Sequence, residues 1–533
     1  MKHSFLDFAF VPKIAQTEAL YFRAHDFQLS EHFLLAMRKG ASVSFDTFFN
    51  GISISNLRKY TNITKLIFRF EIEGNFEANI LLEGKKLASG RLSSSQEITV
   101  SILGLSADSG ILYPQLTAEA AGSKLKHISV FAESLSFCQV HLALIICTYR
   151  RERYVRSTVN YLVQKLQKNK TVDCSIIVVD NGRTLHEDDF NKRVLFVRNV
   201  NNGGSGGFKA GMQIAAQMEG LTHFILMDDD VEVDFLSLQK MACFLAFLKP
   251  AYKDLSISGS MLYLDKPCRQ FEAGGFFGNG KQRGYGHFLD LTLPENLSEN
   301  EQDRQINYGG WWLMCIPVRY IMEGYFPLPF FIKYDDIEYC LRCKLKIITL
   351  NGFSVWHQRF EDKYNSSSEY YNIRNYLHVC TLHGDHFTRR KARRNAFKLL
   401  VAKLCRQQYK MARAVIWGYH DYLKGLDFLN EIDAESNHKR VCQLNYKMLT
   451  YDEIQKHYGC RPLDYRYYAP PPKKRFPFLL IPKRYVYTDF FNDEAKQYLM
   501  AKNAIHCDSV NNCGYVSQRS FIELLKSLKD FMS

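Results

Sequence analysis

The sequence predicts a multidomain protein in three parts: an N-terminal β-sandwich or jelly roll over residues 1–138, a central α/β domain over 139–365, and a C-terminal, mainly α-helical, basic region over 366–533. Three observations predict this. Apolar and polar residues alternate with period two through the first part, a strand, helix, strand succession fills the second, and helical spacing with excess positive charge fills the third. At 533 residues the chain is too long for one core, and with 46% hydrophobic and 14% aromatic residues it has ample material for several.

In the first part, Phe68, Phe70 and Ile72 alternate with Arg69, Glu71 and Glu73, as in a half-buried antiparallel strand, and 97–103 and 125–131 read alike. Long helical patterns are scarce there, which favours a sandwich. From about residue 139, Leu142 to Cys147 reads as a buried strand, Val155 to Leu166 as a helix, and Ile176 to Val179 and Leu195 to Val197 as strands. Met212 to Met218 is helical and Phe224 to Met227 a further strand. Such alternation predicts a parallel, doubly wound sheet whose strand ends converge on one crevice. Those ends carry Thr148, Tyr149 and Arg150, then Asp180 and Asn181, then Asn201 to Gly207.

Charge and cysteine usage narrow the class. From Ser366 onward, 28 Lys plus Arg face 16 Asp plus Glu, which accounts for most of the net +14. No acid occurs between His386 and His420, where Phe397, Leu400, Val401, Leu404, Met411 and Val415 recur at helical spacing among basic residues. A basic amphipathic helix suits an anionic membrane surface; a helix packed on its own domain with a solvated basic face is the plainer reading, and nucleic acid the least favoured. Lys473 to Arg475, after Pro470 to Pro472 and before Phe476, repeat the basic and apolar pairing. No apolar run approaches the roughly 20 residues that span a bilayer. The opening MKHSFLDFAF lacks the apolar segment of a secretory leader, and 14 scattered cysteines suit reduced thiols, so a cytoplasmic protein, peripheral on the inner face of the membrane, is expected.

The chemistry begins at Asp228, Asp229 and Asp230, directly behind the apolar strand 224–227. Adjacent carboxylates repel one another and raise their own pKa values unless a cation relieves them. Mn²⁺ or Mg²⁺, which take oxygen ligands and share them with substrate phosphates, is the simplest relief, and a metal-bridged diphosphate substrate follows. Asn201 to Gly207 form a glycine-rich turn before a helix starting near Phe208; they either line a nucleotide-sugar crevice through Gly203 and Gly204 or permit close helix packing. Neither the dinucleotide spacing nor a P-loop is present. A second apolar entry, Phe330 to Tyr334, ends in Asp335 and Asp336, placed either to act as a general base or to cap a helix. Gly309, Gly310, Trp311 and Trp312 put two of the four tryptophans side by side, equally suited to a sugar face or to a core.

Taken together, CTYR, VVDNG, NNGGSGGFKAGM, the DDD triplet, GGWWLMCIP, FIKYDDIEY, VWH and YYNIRN resemble inverting family-2 glycosyltransferases of the GT-A fold, and more closely the galactofuranosyltransferases that polymerise mycobacterial galactan. The likeness runs from about residue 20 to 380 and includes SFDTFFNGISISNLRKYT in the β-rich part. It implies that Asp228, Asp230 and His357 hold the divalent ion, that Asp336 is the general base and Asp335 an acceptor ligand, and that Trp311 and Trp312 line the acceptor site. Arg150, Asp180 and Asn181 would contact the uridine, with Thr148, Gly203, Gly204 and Asp229 completing the nucleotide-sugar side. Tyr334 stands where the resemblance leads one to expect tryptophan.

The expected activity is metal-dependent transfer of galactofuranose from UDP-galactofuranose to a hydroxyl of a lipid-linked glycan. A family-2 transferase for a rhamnosyl or hexopyranosyl donor, and a membrane-bound glycan-binding scaffold without turnover, stay open. So do linkage, chain growth and homo-oligomer formation.

Overall fold

A computed structural model describes residues 2–30, 33–105, 108–169, 171–359, 365–459, 483–489, 501–508 and 511–533. The proline-interrupted basic stretch at 470–476 lies outside the described residues. The chain divides into two compact units, Met1–Pro327 with Asp336–Gln358, and Leu328–Asp335 with Arg359–Ser533.

The first unit opens with two six-stranded antiparallel sheets. Ile63–Glu73, Lys124–Ser134 and Gln96–Ser101 lie in one, Ile111–Ala118, Phe76–Leu82 and Lys85–Leu92 in the other. Alternation does the work expected of it: Phe68, Phe70, Ile80, Leu116 and Val130 are buried. Charged residues of the opposite parity pair across the sheet surface, as do Arg69 and Glu97.

The second layer of the unit is a nine-stranded sheet flanked by helices. Val194–Arg198, Asp173–Asp180, His141–Thr148 and His223–Asp228 run parallel, in that order. The sheet then turns mixed, because Leu313–Pro317 pairs antiparallel with both His223–Asp228 and Leu255–Tyr263. Lys346–His357 runs parallel to Leu255–Tyr263, and the short Glu232–Val233 closes the edge against it. The all-parallel expectation therefore holds for these four strands and yields at Leu313–Pro317, which runs antiparallel to both of its neighbours.

The glycine-rich segment differs from its reading as a turn. The helix spans Gly203–Ala215, so Gly203 to Gly207 are its first residues. A Cβ on Gly207 would sit 2.0 Å from Cys147 Sγ, and one on Gly211 2.3 Å from Ile145. Spaced four apart, these glycines put bare backbone on the face that packs against strand His141–Thr148.

The β-sandwich is fastened to the helix Phe235–Ala246, which follows the acidic triplet. Tyr21 donates to Asp234 Oδ2 at 2.6 Å, and Asp234 caps that helix through Leu236 N at 2.9 Å. Lys240 Nζ donates to the carbonyls of Phe49 and Gly51, and the Phe49 ring lies 5.8 Å from that of Trp356.

In the second unit, Ser368–His383, Arg389–Cys405 and Tyr409–Leu423 pack around Ile373, Leu377, Leu400, Leu404, Val415 and Tyr419. The acid-free basic stretch is two helices, divided at 406–408, where Gln407 adopts a left-handed φ of 56°. Its basic residues Arg389, Arg390, Lys391, Arg393, Arg394 and Lys398 are exposed, while Lys403 is buried against Glu369. A four-stranded sheet, Leu449–Thr450, Cys513–Gln518, Ala501–Asp508 and Lys483–Asp489 in that order, adds to the helical region that was expected.

Candidate active site

Register explains the convergence of the strand ends. Cys147 pairs with Asp228 and Thr148 with Asp180, so three neighbouring strands end level at their C-terminal edge. After Asp230 the chain turns into Glu232–Val233, which pairs with Val355 and Trp356 and sets the acidic loop beside the next residue, His357.

Asp228, Asp230 and His357 present one ligand atom each, all within 4.8 Å of one another. His357 Nε2 lies 3.3 Å from Asp230 Oδ1 and 4.0 Å from Asp228 Oδ2. Two ligands about 2.1 Å from one hard cation stand about 3.0 to 4.2 Å apart, so these separations fit such an ion. The other imidazole nitrogen, Nδ1, meets the Gln358 carbonyl, which leaves Nε2 to face the carboxylates. Two oxygens and an imidazole form a donor set suited to Mn²⁺ or Mg²⁺.

Arg151, for which the sequence carried no expectation, relieves part of the repulsion. Its Nη1 lies 3.0 Å from Asp229 Oδ1 and 2.7 Å from Asp230 Oδ2. Asp230 thus gives one oxygen to the guanidinium and turns the other toward His357. Asp229 also accepts from Thr148 Oγ1 at 2.7 Å, and burial pushes its carboxyl up to about 6 against the pull of Arg151. Both contacts mark Asp229 as the member of the triplet that anchors the loop. A basic residue three positions past a strand end was the only signal for Arg151, and Arg150, one position nearer, carried much the same one.

The remaining candidates divide by burial. Asp180 accepts from the backbone N–H groups of Gly182, Thr184 and Leu185 at 2.7 to 2.8 Å, so its carboxylate shapes the loop after its strand. Asn181 donates to Gly203 O and accepts from Asn199, tying adjacent strand ends to the glycine helix. Arg150 is exposed at a left-handed φ of 56°, over the Tyr149 ring. Trp311 and Trp312 are 5% and 8% exposed, which leaves only an edge of either for an acceptor. Trp311 meets Phe208 and Tyr339 edge on, and Trp312 donates to Gly259 O at 2.9 Å.

Asp335 and Asp336 open the helix Asp335–Cys343, and Asp336 Oδ1 accepts from Ile337 N at 2.8 Å. A second carboxylate attends Asp336. Glu272 is buried, with no partner for Oε1 among the described residues, and burial together with the charge of Asp336 pushes its carboxyl up to about 8. The strand Leu255–Tyr263 relates this pair to the candidate metal cluster: Glu272 pairs with Met261 on one side, and His357 with Tyr263 on the other. Nothing in the pattern around Glu272 separated it from a surface acid.

The Glu272 shift carries a pH dependence. Its folded pKa of about 8 exceeds the ordinary carboxyl value of 4.5, so the stability it contributes is present below about pH 4.5 and is lost as pH rises through about 8. Thermal melts from pH 5 to 8.5 are expected to show wild-type Tm declining relative to Glu272→Gln, which stays neutral. Parallel melting curves for the two proteins would contradict the shift.

The open sheet, the acidic loop at its strand edge and the candidate metal cluster lie in a region similar to family-2 glycosyltransferases. Residues 143–266 match the family described as glycosyl transferase family 2. The chain is related to the galactofuranosyltransferases of the GlfT2 type. It is 27% identical to galactofuranosyltransferase GlfT2 of Mycobacterium tuberculosis over 383 residues, 65% of this chain and 59% of that protein. To GlfT2 of Mycolicibacterium smegmatis it is 25% identical over 391 residues, 65% of this chain and 58% of that protein. The chain therefore spans less than two thirds of the length of these relatives. Among solved structures, S. aureus TarS 1–349 shares 13% identity, with 60% of this chain and 92% of that one covered, at a TM-score of 0.32, too low to add to the argument.

Proposed function

We propose that this protein transfers galactofuranose from UDP-galactofuranose to a hydroxyl of a lipid-linked glycan, with inversion at the anomeric carbon. The observation that carries the proposal is the Asp228, Asp230 and His357 cluster at the strand edge of a family-2 domain. The choice of sugar is supported by the relation to the GlfT2 proteins, and a divalent metal at the cluster is read as Mn²⁺ or Mg²⁺.

In this reading Asp336 accepts the proton of the attacking acceptor hydroxyl, and Asp335 beside it in the chain binds the acceptor. Glu272 keeps its proton, whose loss would place a second negative charge beside the base. Asp228, Asp230 and His357 would hold the cation, whose chemistry when bound is to stabilise charge on the departing diphosphate. Thr148 and Arg151 hold the acidic loop in register, and Asn181 and the helix start at Gly203 order the nucleotide side.

The deciding experiment is chelator-sensitive UDP release from UDP-galactofuranose, compared with UDP-galactopyranose and dTDP-rhamnose, with membrane glycolipid as acceptor. Release from the furanose alone is expected. Release from another donor instead would move the activity to a related transferase, and silence with all of them would favour a binding scaffold.

We also propose that the C-terminal unit rests on an anionic membrane surface. Among the described residues no helix is long and apolar enough to cross a membrane. The helix Phe521–Met532 exposes Phe521, Ile522, Leu525 and Met532, and Lys526 and Lys529 are exposed beside them. Its buried Phe531 packs 5.7 Å from Phe397 of the basic helix, so apolar and cationic surfaces adjoin. Sedimentation with anionic vesicles is expected and should weaken in Ile522→Asp; binding that is equal with neutral vesicles would argue against it.

A further inference from the structure

The motif YYNIRN, residues 370–375, has no role in the site described above, and the structure assigns it one. The segment Phe330 to Tyr334, which leads into the paired acids, holds three non-glycine residues in the left-handed region: Phe331, Lys333 and Tyr334, at φ of 72°, 70° and 64°. Phe331 is the middle of a tight turn in which Ile332 N donates to Phe330 O at 3.0 Å. L residues adopt such a conformation only when their surroundings impose it.

Two side chains of the helix Ser368–His383 impose it here. Arg374 is buried, with its guanidinium 5.0 and 5.1 Å from the ring centres of Tyr370 and Tyr371. Its Nη2 donates to Phe330 O at 2.6 Å, and its Nε donates to Asn375 Oδ1 at 2.9 Å. That bond orients the amide, so Asn375 Nδ2 faces Phe330 O, Ile332 O and Lys333 O at 3.1, 2.8 and 2.9 Å. Tyr371 stacks on Phe331 at 5.3 Å, and Tyr370 is held by Asp421 at 2.7 Å. Each of the motif's polar or aromatic residues at 370, 371, 374 and 375 thus bears on the segment or on a neighbour that does.

We infer that Arg374 and Asn375 are positioning residues for the acids: they hold the strained segment 330–334 and so set where the chain enters the helix at Asp335 and Asp336. Neither residue needs to touch substrate. The inference rests on the reading of Asp336 as the base, and the segment's conformation can be measured apart from turnover.

The test uses the full chain with Asn375→Ala, alone and combined with Lys333→Gly. Hydrogen exchange of peptides covering 328–337 should accelerate in Asn375→Ala. With the donor established for the wild type, kcat should fall by about 10²-fold, the scale of a misplaced catalytic group, while metal-dependent UDP affinity stays within about twofold. Adding Lys333→Gly, which tolerates a φ near 70° without strain, should restore about tenfold of the kcat. Were Asn375→Ala not to fold, Arg374→Lys keeps the charge but loses the planar fork and is read in the same assays. Unchanged exchange overturns the inference, and so does accelerated exchange with kcat intact, or an equal loss of kcat and UDP affinity. A wild type silent with every donor would refute the transferase reading instead, and exchange would still decide the clamp.

Discussion

Asp336→Asn is expected to lower turnover by about 10² to 10⁴-fold, the usual contribution of a positioned general base, while leaving metal-dependent UDP binding intact. The substitution keeps size and a hydrogen-bond acceptor, so Ile337 N retains a partner at the helix start and the fold has little reason to change. What it removes is the carboxylate proposed to receive the proton. It should also remove the charge that helps push the neighbouring Glu272 carboxyl up to about 8, so the pH-dependent loss of stability carried by Glu272 should shrink in this variant. Measured kcat near the wild-type value would exclude Asp336 as the base. A parallel loss of UDP affinity would mean that the residue orders the site and does not act in the proton transfer.

Asp228→Ala should act on the opposite side of the chemistry. It deletes one of three protein ligand atoms that lie within 4.8 Å of each other, and Mn²⁺ titration in the absence of donor is expected to show affinity falling by more than the roughly 10- to 100-fold that follows loss of an outer-shell partner. His357→Ala should do the same, because its Nε2 faces both carboxylates. Thr148→Val, which removes a hydrogen bond to Asp229 and no ligand, should fall in the lower range. Equal affinities across the wild type and these three variants would rule out the cluster as the metal site.

Much of this molecule was legible in its pattern. The strands expected at 142–147 and 224–227 are His141–Thr148 and His223–Asp228, because an apolar run bounded by polar residues at both ends has one stable destination, a sheet buried on both faces. The acids were legible for a related reason: carboxylates at the end of such a run stand at a sheet edge whatever the rest of the chain does. Two features stayed open for want of partners. The glycines after Asn202 looked like a turn because glycine disfavours helices, yet the close approach of Cys147 and Ile145 makes glycine the residue that lets this helix pack. The tryptophan pair looked equally suited to a sugar face or to a core, and its burial was decided by Phe208, Tyr339 and Phe271, which lie far from it in sequence.

Local sequence was enough to determine the strands, the acidic loop, the basic face of the C-terminal helices and the presence of paired acids at a helix start, since each depends on spacing within a few residues. The resemblance already set His357 with Asp228 and Asp230; only tertiary structure decided that Arg151 steadies the triplet, that Glu272 stands beside Asp336, and that the YYNIRN helix holds the segment before the acids. Each of these joins residues distant in the chain. Arg150 sits at a left-handed φ and is exposed, while the next side chain, Arg151, reaches the acids. Hydrogen bonds and charge pairs act over a few ångströms of space, so what they build becomes visible only when the chain has folded back upon itself.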